Sequence, residues 1–125
     1  MNCVDFLEKN ERLYPDDVAF VEVRPLTKTR SEINWAYSNE RTNRLANALI
    51  KKGISKGEKV FLLGRNSIHW LEAYFGVMSA GAWAVPLNFR FTDKDLEFCA
   101  SVAEPVAFIM EEEYADRVHA LRPRL

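Results

Sequence analysis

The chain has 125 residues, enough for one domain with a core and too few for two. Apolar residues make up 48% and charged residues 28%, a balance that excludes a disordered chain. Seventeen Lys and Arg against eighteen Asp and Glu give a net charge of −1, so charge offers no reason to expect nucleic acid or an anionic membrane as a partner.

In chain order, Asn2 is placed to cap a first helix that runs to about Tyr14 and stops before Pro15, with Val4, Phe6 and Leu7 inward. Val18 to Val23 is rich in β-formers. The polar stretch 24–32 then leads into Ile33-Asn34-Trp35, which predicts a β-hairpin. A second helix opens at Ser38 with Thr42, Leu45, Ala46, Leu49 and Ile50 on one face, and Gly53 stands at its left-handed C-cap.

From Lys59 the pattern changes. Lys59 to Leu63 is a short, continuous apolar run, as in a strand covered on both faces. Ser67 to Ala80 reads as a helix that is apolar nearly all round, which implies further protein over it. Ala82 to Pro86 reads as a second buried strand. Thr92 and Asp95 have capping-box spacing, ahead of a helix with Leu96, Cys99, Ala100 and Ala103 inward. Pro105 to Met110 is a third strand, and Glu112 to Leu121 a last amphipathic helix.

Strand, helix, strand, helix, strand, helix with short connections implies two right-handed βαβ crossovers and a parallel sheet. The predicted class is therefore α/β: a partial three-layer sheet with helices on both faces, plus an N-terminal β-hairpin. Residues 1–125 form a single, partial domain. Three parallel strands leave open edges, so the reading also predicts self-association into a dimer or larger assembly.

The longest mostly apolar stretch, Trp70 to Leu87, is interrupted by Glu72, Gly76, Gly81 and Pro86 and is no transmembrane segment. The N-terminus lacks the basic region and apolar core of a secretory signal, and two distant cysteines, Cys3 and Cys99, suit a reducing, cytoplasmic setting.

Candidate chemistry is sparse. Gly64-Arg65-Asn66-Ser67 lies where a phosphate loop would sit, but it has one glycine, and an N-cap at Asn66 or Ser67 is the simpler reading. Leu87-Asn88-Phe89-Arg90 falls at the carboxyl end of a strand, where open α/β sheets bind ligands. Two readings of it compete. Asn88 and Arg90 contact an anionic substrate, or Asn88 makes a turn and Arg90 is a surface charge. Cys3, His69, Cys99 and His119 have no zinc-site spacing, no G-x-S-x-G occurs, and Glu111 to Glu113 suits a helix N-terminus. These residues assemble no catalytic or metal-binding constellation.

Trp70-Leu-Glu-Ala-Tyr-Phe-Gly76 followed by Met78-Ser-Ala-Gly-Ala-Trp-Ala-Val-Pro-Leu-Asn88 resembles the adenylate-forming, AMP-binding ligase superfamily. Collinear stretches agree: Tyr14 to Ala19, Asn43 to Val60, and Thr92 to Val106. Tyr37-Ser38, Arg65 and Trp83 depart from the usual pattern, while Leu87 to Thr92 looks nearer to the acyl-CoA synthetases. The resemblance implies an incomplete N-terminal subdomain of an acyl-CoA synthetase-like fold. It implies a parent enzyme that joins a carboxylic acid to CoA through acyl-AMP, using ATP and Mg. The family's phosphate loop, acidic metal-holding residue, ribose-binding aspartate and mobile lysine have no matching positions in this sequence. The segment is accordingly expected to bind none of these cofactors, to be inactive alone, and to have the remainder of the ligase as its partner. Asn88 and Arg90 become candidates for one wall of the substrate or CoA entrance. The alternative is a stand-alone, non-catalytic ligase-like module for protein–protein binding or regulation.

Overall fold

A computed structural model of the chain describes residues 3–124, so the Asn2 cap lies outside the described residues. Helix α1 (Cys3–Leu13) buries Val4 and Leu7. Phe6, expected inward, is instead exposed, because a helical period that buries positions 4 and 7 turns position 6 away from that face. Strands β1 (Val18–Arg24) and β2 (Thr29–Asn34) form the predicted hairpin as a separate antiparallel sheet. β2 is longer than Ile33–Trp35, since Thr29 to Glu32 pair with Val21 to Arg24 despite their polarity.

Helix α2 (Trp35–Lys51) starts three residues before Ser38. Asn34 supplies the cap, its Oδ1 accepting from Tyr37 N at 2.8 Å, and the strand passes straight into the helix. Ser38 is buried within the helix, and Ile50, expected on the apolar face, is exposed. The other end behaves as predicted. Gly53 has φ +96°, a conformation open to glycine at little cost, and lets Ile54 N reach Leu49 O at 3.1 Å.

The parallel sheet has the order β4-β3-β5, with β3 (Lys59–Leu63) central, β4 (Trp83–Leu87) and β5 (Ala107–Met110) flanking. Alternation divides β3, buried from Val60 to Leu63, between two cores. Val60 and Leu62 pack with Leu49, Ala73 and Val77 of α2 and α3 (Ile68–Ser79). Phe61 and Leu63 pack on the other face, with Leu96 and Ala100 of α4 (Asp93–Ala103) and Val118 and Leu121 of α5 (Ala115–Leu121). Helices thus cover both faces, as predicted. A 3-10 turn, Glu112–Tyr114, precedes α5.

Two further expectations need correction. β4 is an edge strand with Trp83 61% exposed and Pro86 exposed, so it is not buried throughout; Ala84 packs against one core, and Val85 and Leu87 against the other. Helix α3 needs no outside cover to explain its composition. It sits between α2, α1, the sheet and the hairpin, and none of its large apolar side chains is fully exposed. Its one buried charge, Glu72, accepts from Arg41 Nε at 3.0 Å and Nη2 at 2.9 Å, with His69 Nδ1 at 3.4 Å. The same hydrogen bond holds the Arg41 guanidinium above its ordinary pKa.

Candidate functional site at the carboxyl edge of the sheet

The carboxyl ends of β3, β4 and β5 lead into the Gly64–Ser67 loop, the Asn88–Arg90 turn and Glu111. Ser67 is the N-cap of α3, its Oγ accepting from Trp70 N at 3.0 Å. Two carboxylates complete this helix start. Glu111 accepts from the backbone N–H of Arg65, and Glu22 of β1 accepts from Ile68 N at 2.7 Å. Two backbone donors at this helix start are thus already bonded to carboxylates. Among the described residues, no three His, Cys, Asp or Glu side chains are grouped to hold a metal ion.

Ile68's N–H, then the Arg24 side chain, holds the Glu22 carboxyl below its ordinary pKa of 4.5. A folded-state pKa below the unfolded one stabilises above the unfolded value and is lost as pH falls through the folded value. The anchoring of the hairpin to α3 is thus expected to weaken in acid. Thermal unfolding from about pH 6 to about pH 3 should show a shallower acid decline for Glu22→Gln than for the natural chain. Equal slopes would remove Glu22 as a source of the decline.

Asn88 is exposed and its Oδ1 accepts from Arg90 N at 2.9 Å, while Phe91 N bonds back to Asn88 O at 3.0 Å. This is an Asx-type turn, the structural role weighed for Asn88 above. The Arg90 guanidinium lies over the Phe89 ring at 5.4 Å, and Arg65 from the neighbouring loop lies over the same ring at 5.6 Å. Arg65 also reaches Glu113 at 3.7 Å. Arg117 of α5 steadies the turn from behind, bonding Phe91 O and, at 2.6 Å, Asp93. Arg90 thus shares the Phe89 ring with Arg65, and neither Phe89 nor Arg65 was a sequence candidate for the site. A groove of about 340 Å³ beside this edge is lined by Leu63, Ser67, Trp70, Ile109 and Glu111, and neither Asn88 nor Arg90 reaches it.

Fold and edge together define an α/β segment built on a parallel sheet, with the Gly64–Ser67 loop and the Asn88–Arg90 turn at its carboxyl rim. The model of the AMP-binding enzyme family matches residues 7–125, and the chain belongs to that family. It is 34% identical over 123 residues to a medium/long-chain-fatty-acid–CoA/3-oxocholest-4-en-26-oate–CoA ligase of Mycobacterium marinum, covering 98% of this chain and 21% of the relative. Among solved structures, it superposes on a Mycobacterium tuberculosis fatty acyl CoA synthetase with TM-score 0.83 and 30% identity, over 97% of this chain and 23% of that one. Against the anthranilate CoA ligase AuaEII in complex with anthranoyl-AMP, the TM-score is 0.87 at 26% identity, over 100% of this chain and 23% of that one. The chain spans about a fifth of the length of the curated relatives it matches, and corresponds to their N-terminal part. No helix among the described residues is long and apolar enough to cross a membrane.

Proposed function

We propose that residues 1–125 are one partial domain, the N-terminal segment of the large domain of an ATP-dependent acyl-CoA synthetase. In the reaction proposed for the whole enzyme, a carboxylate attacks the α-phosphate of ATP, giving acyl-AMP and pyrophosphate. The CoA thiol then displaces AMP. The observation that carries this reading is the match of nearly the whole chain to a fifth of an acyl-CoA ligase. The segment's part is scaffold: a central strand, helices on both its faces, and a rim on which Asn88 and Arg90 form one wall of the substrate or CoA entrance.

The chain alone is expected to be inactive, because the family's ATP phosphate loop and later motifs have no matching positions in residues 1–125. Pyrophosphate exchange into ATP, measured with the purified chain and a series of fatty acids, should stay at background. Exchange dependent on added acid would overturn the non-catalytic assignment. Its absence from a longer protein carrying this segment would overturn the ligase reading.

A further inference from the structure

The β1–β2 hairpin is a two-stranded sheet apart from the parallel one, and its lower half is tied to the helices. Phe20 packs on Trp35 and Phe75, with ring centroids 5.6 and 6.1 Å apart, and Glu22 caps α3. From Val23 to Arg30 every residue is exposed. The turn that closes the hairpin is fixed by its own bonds. Lys28 N donates to Pro25 O at 3.3 Å, and the Thr27 hydroxyl donates to Arg24 O at 3.4 Å. The Thr27 and Thr29 hydroxyls bond each other at 2.8 Å, and Lys28 takes a left-handed φ of +54°. Leu26 is left with its full surface in solvent. Behind it, Val23 and Val21 are 60% and 43% exposed, on one face of β1 by alternation.

Charge is sorted along the hairpin as well. Arg24, Lys28 and Arg30 are the charged residues of 24–31. Arg24 pairs with Glu22 at 2.7 Å and Arg30 with Glu32 at 2.6 Å, and in each pair the acid stands nearer the base and the cation nearer the tip. A net charge of −1 for the chain thus conceals a cationic end with an uncovered leucine at its point. An aliphatic point ringed by cations suits an anionic lipid surface, because the leucine enters the acyl boundary while the cations stay at the headgroups. A protein partner fits less well. A stable protein interface takes about 800 Å² from each side, and one turn offers far less.

We propose that the hairpin tip, residues 23–30, is a membrane-docking point that inserts Leu26 into the headgroup region of an anionic bilayer, with Arg24, Lys28 and Arg30 on the lipid phosphates. The tip geometry does not depend on the ligase reading.

Co-sedimentation of the purified chain with vesicles tests this, using phosphatidylcholine alone and phosphatidylcholine mixed with phosphatidylglycerol. Binding to the mixed vesicles is expected, and it should weaken as salt rises. Leu26→Asp and Lys28→Glu should each weaken it by about tenfold or more. Leu26→Phe should strengthen it. Leu26 buries nothing against the chain, so neither change at that position touches the fold. Phe98→Ser, at an exposed apolar residue of α4, should leave binding unchanged. No binding to the mixed vesicles would overturn the proposal, as would binding that Leu26→Asp leaves intact or that Phe98→Ser weakens as much. Self-association without lipid that Leu26→Asp abolishes would give the tip to a second copy and overturn it too.

Discussion

Replacing Phe61 by alanine is expected to cost about 3–5 kcal/mol of folding stability, the range for truncating a large aromatic in a packed core. Phe61 is completely buried on the central strand and meets the Phe108 ring edge-on, with centroids 5.1 Å apart. Leu96 of α4 and Val118 of α5 belong to the same cluster, so the ring joins the sheet to both helices of that face. Alanine would leave a cavity that strands fixed on either side are slow to fill. Against a total of about 5–15 kcal/mol for an ordinary domain, such a loss brings the chain close to unfolding at room temperature. Urea titration followed by far-UV circular dichroism measures it. A loss below about 1 kcal/mol would mean that this face is loosely packed and that α4 and α5 close over the gap.

Gly76→Ala probes the opposite error, too much volume, at the contact of α2 with α3. A Cβ on Gly76 would stand 2.5 Å from Leu45 Cδ2 and 2.9 Å from its Cβ. The clash includes the root of the side chain as well as its tip, so a rotamer change alone does not relieve it and the helices must separate. The expected cost is about 1–3 kcal/mol. Leu45→Ala in the Gly76→Ala background should recover part of that loss, although alone it would destabilise by removing apolar contacts. A double-mutant cycle of thermal unfolding reads the coupling directly. Additive effects would show that the helix contact gives way without strain.

These substitutions fall where the sequence was most legible. Lys59-Val-Phe-Leu-Leu63 displayed a doubly covered strand because burial on two faces leaves no polar alternation. Thr92 and Asp95 displayed a capping box, and both reciprocal bonds form, at 3.2 and 2.9 Å. Ser67 and Gly53 were legible for the same reason, since their conformations depend on their own few neighbours. The misreadings arose where composition and environment part. The first half of β2 is polar and its order comes from the strand opposite. β4 looks buried in sequence because Ala82 to Pro86 carries no charge, yet it forms an edge.

The candidate site divides in the same way. The turn-forming capacity of Asn88 is local and was visible. Glu22 and Glu111 are each 46 residues from the N–H groups they accept from, and no spacing rule connects them. Nor does sequence show that Arg65 and Arg90 share one ring, because loops at the ends of neighbouring strands meet only after the crossover is closed.

The placing of β3 between its two neighbours also orders events in time. Lys59 pairs with Trp83, 24 residues on, whereas Val60 pairs with Ala107, 47 residues on. Closing the loop twice as long costs about 0.6 kcal/mol more in chain entropy, so the contact with β4 is the easier one to make first. Until β5 arrives, the N–H groups of Phe61 and Leu63, which alternation turns toward it, are bonded to water. The sheet therefore grows in one direction during folding, from the β3–β4 pair toward β5.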